Sequence, residues 1–350
     1  MPTQKKAIKD KRPPGLVVAP TTPASVPKVP DIPPEVGSTA TITIRGEIFQ
    51  VSADDFIEEK ELGRGQYGSV YQMMHKNTQA LMAVKKIRAT VDTTERKQLM
   101  MDLNVSRTLH CPYTITFYGA LFREGDVWIC MELMDKSLSQ LYKLVYDQLK
   151  LRIPEPVLGK MIEAIVKALH FLKSQLKVLH RDVKPSNILI NKAGQTKLCD
   201  FGIAGQLVDS FCKTNIGCKP YLAPERIAPD ASSRYDERAD IWSLGITMYE
   251  LALGRFPYPP WRTVFEQLKI VVEGEPPAIP SDAGFSEEFR DFISQCLTKD
   301  VHHRPRYEHL LEHTVIKRAE ETHVDVADWY QGICTREQEL AKETHVDVAS

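Results

Sequence analysis

The stretch from residue 180 to residue 200 constrains the fold of this chain more than any other. It gathers two acids, an amide and a lysine, which are Asp182, Asp200, Asn187 and Lys184. Between Asn187 and Asp200, the apolar runs 188–190 and 196–199 flank a polar stretch that contains a glycine, a pattern typical of two short strands joined by a turn. Such a hairpin folds the chain back on itself, so we expect Asn187 to lie beside Asp200.

A glycine-rich stretch upstream supplies a second group of candidate residues. Gly63, Gly65 and Gly68 have the spacing G-x-G-x-x-G, and Lys85 follows on an apolar run that predicts a strand. The same spacing occurs in dinucleotide-binding folds, but there a helix follows the glycines and an acid stands about 20 residues further on. Here the residues after Gly68 predict a strand instead. Because glycine lacks Cβ, backbone N–H groups of this stretch can close over a chain of phosphates.

Together the two segments resemble those of protein kinases. The resemblance implies that Asp182 orients the substrate hydroxyl and accepts its proton, and that Lys184 stabilises charge on the moving phosphoryl group. It implies that Lys85 anchors the α and β phosphates of ATP, and that Asn187 and Asp200 hold Mg²⁺. Phosphoryl transfer requires positioning and cations more than covalent chemistry, so these residue types suit the reaction.

The resemblance covers about residues 56–316. It implies a bilobal α+β fold, with a small β-rich N-lobe that carries one regulatory helix and a larger, mainly helical C-lobe. Met131 would border the adenine pocket at the end of the last N-lobe strand, while backbone groups of Glu132 and Met134 would pair with the base. The residues expected at the ATP site are Leu62, Gly63, Arg64, Gly65, Gln66, Tyr67, Gly68, Ser69, Val70, Ala83, Lys85, Asp102, Met131, Glu132, Met134 and Leu189.

Lys85 needs an acidic partner, and two assignments stay open. By register with the family the partner is Asp102, on the stretch 94–109 that predicts a helix, although most kinases have glutamate there. Aspartate is one methylene shorter, which requires a closer approach of the helix. Glu95, or an acid that simply faces solvent, is the alternative.

The large lobe contains a segment that predicts a buried helix. Residues 240–246 are apolar on nearly every side, and a helix of that kind lies in a core. The family resemblance implies that its first acid, Asp240, accepts hydrogen bonds from the backbone near Asp182, since a buried acid without partners would be costly. It further implies an ion pair between Glu225 and Arg304.

Finer features resemble the mitogen-activated protein (MAP) kinase kinases, dual-specificity enzymes that phosphorylate Thr and Tyr in a MAP kinase activation loop. The segment 200–225 is very similar to theirs, and Ser210 and Thr214 occupy the S-x-x-x-T positions that an upstream MAP kinase kinase kinase phosphorylates. Hydroxyls are also ordinary in loops, which is the alternative interpretation. Phosphate there would add nearly two negative charges that can pair with Arg181.

The N-terminal tail favours the stress-activated branch of that family. Residues 1–40 contain nine prolines and are expected to be disordered or extended. Within them, residues 9–18 resemble MAP kinase docking peptides: cations would meet an acidic patch while two apolar side chains enter a groove. The expected docking residues are Lys11, Arg12, Leu16 and Val18. A solvated basic terminus is the alternative for the tail, and a Jun-kinase-activating enzyme or a catalytically silent pseudokinase scaffold is the alternative for the chain.

The remaining chain divides into a kinase domain over residues 41–316 and a C-terminal tail over 317–350. Ile42, Ile44, Ile48 and Val51 suggest a hairpin that packs on the small lobe. In the tail, Glu-Thr-His-Val-Asp-Val-Ala occurs at 321–327 and again at 343–349. The first copy occupies the family's docking site for upstream kinases. Its apolar face would be built by Val324, Val326, Trp329 and Ile333.

Composition excludes several other classes of protein. The formal net charge of −1 leaves no basic surface for nucleic acid. Seven cysteines without C-x-x-C spacing argue against a disulfide framework or a zinc site. No apolar run approaches the roughly 18 residues that a membrane span requires. We therefore expect a cytoplasmic or nuclear protein.

Overall fold

A computed structural model of the chain describes residues 39–44, 46–65, 68–88, 111–200, 220–228 and 236–349. The strands are β1 (Thr39–Ile44), β2 (Glu47–Ser52), β3 (Phe56–Gly65), β4 (Gly68–His75), β5 (Ala80–Arg88), β6 (Phe117–Arg123), β7 (Asp126–Met131), β8 (Lys136–Ser137), β9 (Ile188–Ile190) and β10 (Thr196–Leu198). The α-helices are α1 (Leu138–Lys143), α2 (Glu155–Leu176), α3 (Pro224–Ile227), α4 (Glu237–Leu253), α5 (Val264–Gln267), α6 (Glu287–Cys296), α7 (Tyr307–Leu311), α8 (Thr314–Glu321) and α9 (Val326–Ala349). Strands dominate the first part and helices the second, which confirms the α+β fold.

The small lobe is built on an antiparallel sheet with the strand order β3-β4-β5-β7-β6. Successive side chains of a strand point to opposite faces. Met82 and Val84 of β5 belong to an apolar cluster on the back of the sheet, so Ala83 and Lys85 point to the front. The β1–β2 hairpin covers the back, and Ile42 lies so close to Gly119 that a Cβ at this glycine would be 2.7 Å from the isoleucine side chain.

The predicted hairpin at residues 42–51 is confirmed, but one of its four apolar residues is not packed. Ile42, Ile44 and Val51 are buried, whereas Ile48 is 70% exposed. Ile48 and Val51 are three residues apart, so a regular strand turns them to opposite faces. The inward position of β2 before Val51 belongs to Phe49, which packs against the back cluster.

Helices α2 and α4 form the centre of the large lobe. Every residue of α4 from Ala239 to Ala252 is buried, which confirms the prediction of a buried helix. Its first turn is capped by Asp236, whose side chain accepts a hydrogen bond from the backbone of Arg238. The helix ends at Gly254, where φ is +67°, a left-handed conformation that glycine adopts without steric cost.

The hairpin predicted between Asn187 and Asp200 is also present. Strands β9 and β10 are antiparallel and form a three-stranded sheet with β8. The turn contains Gly194 at φ +73°, and a Cβ there would lie 2.5 Å from the backbone nitrogen of Ala327. The chain therefore needs glycine at this position, both for the turn and for close contact with the start of α9.

The C-terminal segment packs on the large lobe. Val326, Tyr330 and Ile333 are buried in the main core, and Val324 and Trp329 pack against it. Lys136, just after the N-lobe sheet, pairs with Glu337 of α9 at 2.9 Å. Four side chains expected to form a docking face for upstream kinases are thus used within the chain. None of the described helices is long and apolar enough to cross a membrane.

Candidate active site

A buried carboxylate anchors the segment 180–187, which we call the catalytic loop. Asp240 is fully buried, and its two oxygens accept hydrogen bonds of 2.8 Å from the backbone N–H groups of His180 and Arg181. The Tyr307 hydroxyl makes a further contact at 3.3 Å. Arg181 has φ +66°, a region that residues with a side chain rarely adopt. Charge-assisted hydrogen bonds stabilise this conformation, and the expected contact of Asp240 with the loop is confirmed.

His180 joins the catalytic loop to the strand that leads to Asp200. The backbone N–H of Asp182 donates to Nδ1 of His180 at 3.2 Å, which assigns the ring proton to Nε2. That nitrogen lies 2.9 Å from the carbonyl oxygen of Cys199 and donates to it. One imidazole ring therefore fixes the spacing between the loop and the residue before Asp200.

Asp182, Lys184 and Asn187 meet at one carboxylate oxygen. The Lys184 ammonium and the Asn187 amide nitrogen donate to Oδ2 of Asp182 at 2.7 and 2.9 Å. The Asp182 side chain is 50% exposed, so a substrate hydroxyl can reach it from solvent. A fixed carboxylate with an open side is the geometry that a proton acceptor for a hydroxyl requires.

Asn187 and Asp200 lie on adjacent chain segments, as the hairpin predicted. The backbone N–H of Cys199 donates to the Asn187 carbonyl at 2.9 Å, and Asp200 follows with φ +62°. The Asn187 amide nitrogen is bonded to Asp182, which leaves the amide oxygen to bind a cation. Within the described ranges no group of three or more His, Cys, Asp or Glu gathers as a metal site. The two oxygen ligands still fit Mg²⁺, which commonly combines one or two protein ligands with phosphates and water.

Lys85 faces this pair from the front of the small-lobe sheet. Its ammonium lies 2.8 Å from Oδ1 of Asp200, and its side chain is 11% exposed. The expected partner Asp102, like the alternative Glu95, lies outside the described residues. Among the residues that the structure describes, Asp200 is therefore the acid that holds the Lys85 ammonium.

The glycine-rich stretch includes the end of β3 and the start of β4. Gly68 has φ +152°, and a Cβ there would lie 1.9 Å from the carbonyl oxygen of Lys86, so the close contact of β4 with β5 requires glycine. A strand follows the glycines, which rules out the dinucleotide-binding alternative. Val70 lies opposite Lys85 in the sheet, so the side chains of Val70 and Lys85 share one face of it. The positions expected at this end of the site and described are Leu62, Gly63, Arg64, Gly65, Gly68, Ser69 and Val70, whereas Gln66 and Tyr67 lie outside the described residues.

Comparison with known proteins agrees with this geometry. The protein kinase domain family matches residues 56–316. The chain is 45% identical over 313 residues to dual specificity mitogen-activated protein kinase kinase sek-1 of Caenorhabditis elegans, a match that covers 89% of this chain and 92% of the relative. It is 46% identical over 302 residues to dual specificity mitogen-activated protein kinase kinase 7 of Homo sapiens, covering 85% of this chain and 71% of the relative.

The chain belongs to the dual-specificity mitogen-activated protein kinase kinases. The resemblance drawn from the catalytic loop, the glycine-rich stretch and the segment 200–225 is thereby confirmed. An ATP-dependent protein kinase activity follows from this membership. It also accounts for the bilobal arrangement of a β-rich and a helical part.

In this kinase, the hinge between the lobes begins where β7 ends at Met131. Met131 lies opposite Ala83 in the sheet. Met131 and Leu189 pack on a small apolar cluster that contains Met134, so the predicted adenine-site residues come together. The backbone N–H of Glu132 donates to the Thr116 carbonyl at 2.9 Å. Of the two backbone groups of Glu132, the carbonyl is the one left for a base.

The end of the activation segment is tied to the large lobe as expected. Arg304 is buried, and its guanidinium forms a bidentate pair with Glu225 at 2.8 and 3.0 Å. It also donates to the carbonyl oxygens of Thr298 and Arg238 at 2.9 and 2.7 Å. The planar fork of arginine can meet all these acceptors at once.

Several expected sites lie outside the described residues, and one contact was missed. The phosphorylation sites Ser210 and Thr214 and the docking residues Lys11, Arg12, Leu16 and Val18 belong to the undescribed part. The missed contact is the part-buried ion pair between Lys197 and Glu132, at 2.8 Å. The sequence did carry a signal for it: Lys197 stands in a short apolar strand, and a lysine there needs an acidic partner.

Proposed function

We propose that this kinase activates a stress-responsive MAP kinase by phosphorylating both the Thr and the Tyr of its activation loop with Mg-ATP. An upstream MAP kinase kinase kinase would switch it on by phosphorylating Ser210 and Thr214. The observation that carries the proposal is the convergence of Lys184 and Asn187 on Asp182, beside the contact between Lys85 and Asp200.

Asp182 would act on the substrate hydroxyl. Its carboxylate is held by Lys184 and Asn187 and is half-exposed, so it can orient an incoming hydroxyl and accept its proton as the phosphoryl group transfers. Lys184, at 2.7 Å from the same oxygen, adds positive charge next to the attacked phosphorus. Preorganised charge of this kind contributes most when it is fixed before the reaction.

Lys85, Asn187 and Asp200 would bind the phosphate end of ATP. The Asn187 amide oxygen and the Asp200 carboxylate would hold Mg²⁺, which would supply positive charge to neutralise the phosphates. Lys85 already lies against Asp200, so its ammonium is at the edge of the same phosphate site. Asp102 is proposed as an acidic partner of Lys85.

The partners follow from the tails and the subfamily. Residues 9–18 would dock the MAP kinase through Lys11, Arg12, Leu16 and Val18, and the enzyme would act in the cytoplasm or nucleus. A pseudokinase scaffold is disfavoured, because Lys85, Asp182, Asn187 and Asp200 are all present. A MAP kinase of the Jun-kinase branch is a second candidate substrate. Parallel assays with MAP kinases of both branches would separate the two candidates.

The test is phosphate transfer from labelled ATP to a catalytically inactive MAP kinase by the purified, fully phosphorylated protein. Asp182→Asn and Asp200→Asn should each lower turnover by at least about 1000-fold, since each removes a group that acts on the transferring phosphoryl. Asp54→Asn is the matched control, because Asp54 is an exposed acid that pairs with Arg123. Full activity in the Asp182 variant would exclude the assigned role.

A further inference from the structure

Glu132, the first residue of the hinge, is fixed by four hydrogen bonds. Both oxygens of its carboxylate accept from the Lys197 ammonium at 2.8 Å. One of them also accepts from the backbone N–H of Thr116 at 3.1 Å, and the Glu132 N–H donates back to the Thr116 carbonyl at 2.9 Å. These contacts use every polar group of Glu132 except its backbone carbonyl.

Lys197 connects the hinge to the strand that carries Asp200. It lies in the middle of β10, three residues before Asp200, and its side chain is 8% exposed. Strand β10 is itself fixed on both edges: it pairs with β9, and Leu198 exchanges backbone hydrogen bonds with Tyr113 and Ile115. The lysine therefore has a rigid base, and its contact with Glu132 transmits the position of β10 to the hinge.

Fold stability does not explain a charged pair at this place. The two side chains are largely removed from water, at 8% and 18% exposed. Removing ions from water is costly, and replacing a buried ion pair by apolar side chains of similar size is often neutral or stabilising. An apolar pair, however, would hold the hinge by packing alone, which has no preferred direction. Three directed hydrogen bonds to the carboxylate and one from the N–H fix the side chain and the N–H of Glu132, which restricts the movement of the residue whose carbonyl is left for a base.

We propose that Lys197 and Glu132 are positioning residues that set the distance between the hinge and Asp200, and thereby the enzyme's selectivity for adenine. The inference rests on the proposed function, since it takes ATP as the bound nucleotide. The base is recognised at one end of the pair and the phosphates with their cation at the other. A hinge that is free to move relative to β10 would still bind phosphates but would recognise the base less well.

The test compares binding of ATP and GTP, each with Mg²⁺, to the full-length kinase by isothermal titration calorimetry. The main variant is the double substitution Lys197→Met with Glu132→Gln, which removes both charges together and keeps an acceptor for Thr116. We expect its affinity for ATP to fall about tenfold, the effect of one impaired hydrogen bond, and its affinity for GTP to stay the same. The ratio of the affinity for ATP to the affinity for GTP should therefore fall about tenfold.

Three further measurements separate positioning from a general loss of structure. The KM for ATP should rise in the double variant, while kcat at saturating ATP and the KM for the protein substrate stay within about threefold. Glu132→Asp keeps both charges but is one methylene shorter, so it should lower the ratio even if the double variant does not fold. The control is Lys167→Met with Glu163→Gln, a pair at 2.7 Å between residues of α2, which should leave the ratio unchanged.

The outcomes decide the inference in either direction. A lower ATP-to-GTP ratio in the double variant and in Glu132→Asp, but not in the control, supports it. The inference is overturned if the wild type binds ATP tightly and the ratio of ATP to GTP affinity is the same in the wild type, the double variant and Glu132→Asp. That result leaves the proposed function intact. Failure of the wild type to bind ATP overturns both.

Discussion

Replacement of Asp240 by asparagine should reduce both stability and activity, because its two carboxylate oxygens serve two backbone donors. The amide side chain of the Asp240→Asn variant has one oxygen and one NH₂ group, so one of the N–H groups of His180 and Arg181 would face another donor. A buried donor left unpaired costs about 1–3 kcal/mol, and the remaining bond loses the strength that charge gave it, about 1 kcal/mol. We therefore expect a loss of about 2–4 kcal/mol.

The catalytic rate of the Asp240→Asn variant should also fall, even where the protein remains folded, because the loop held by Asp240 carries Asp182. A displacement of about 1 Å in a positioned group can cost about 100-fold in rate. For a folded part of about 300 residues with an unfolding entropy of roughly 2 cal/mol/K per residue, a loss of about 2–4 kcal/mol lowers the melting temperature by about 3–7 °C. Kinase assays well below that temperature, together with urea unfolding, measure the two effects separately.

Asp236→Asn is the matched control, on the same helix and with the same chemical change. Asp236 caps α4 and pairs with Arg238, and none of its contacts among the described residues is with the catalytic loop. Asparagine caps a helix about as well as aspartate, so the replacement should cost only the contribution of the ion pair, about 0–1 kcal/mol, and leave the rate unchanged. Full activity in Asp240→Asn, or an equal loss of rate in both variants, would refute the role assigned to Asp240.

Three other variants test the fold. Gly194→Ala should lower the free energy of unfolding in urea by about 2–4 kcal/mol, because its Cβ would collide with the backbone of α9. In the control Gly125→Ala, at φ +88° with no atom of the described residues within 4 Å of the added carbon, the loss should be about 1 kcal/mol. Equal losses in the two variants would contradict the contact of Gly194 with α9. Burial lowers the pKa of His75, although the nearby charge of Asp55 acts to raise it. The unfolded chain therefore binds the proton at higher pH than the folded one, and the free energy of unfolding should fall as the pH drops below about 6.5. His75→Gln should make this decline with pH shallower, and an unchanged decline would contradict the role of His75. Arg304→Lys should lower stability by about 3 kcal/mol because lysine cannot replace the buried bidentate pair, whereas Arg318→Lys, in an exposed pair, should melt like the wild type.

Local pattern was sufficient where one element decided the structure. The strands on either side of Gly194, the buried helix that begins near Asp240, and the pairing of Glu225 with Arg304 all followed from spacing and family resemblance. The strands and the helix follow local rules, which are apolar runs on either side of a turn and an all-apolar helix, whereas the ion pair, between residues 79 positions apart, was implied by the family resemblance alone.

The sequence pattern did not predict features that depend on the strand period or on contacts with distant elements. Ile48 is apolar but faces solvent, because the two-residue period of β2 turns Phe49 and Val51 inward. The repeated heptapeptide shows the same limit: residues 321–327 contain the end of α8, an irregular stretch and the start of α9, whereas residues 343–349 lie entirely within α9. Tertiary contacts of the first copy override whatever the seven residues prefer alone. The ion pair of Lys197 with Glu132 joins residues 65 positions apart, and no local period reports such a contact.

The most direct test of the central claim is phosphopeptide mapping of an inactive stress-responsive MAP kinase after incubation with this protein and Mg-ATP. Dual-specificity transfer through Asp182 predicts phosphate on both the Thr and the Tyr of the target's Thr-x-Tyr loop, and none on either when Asp182→Asn replaces the wild type. Phosphate on Thr alone, or labelling that persists with Asp182→Asn, would contradict it.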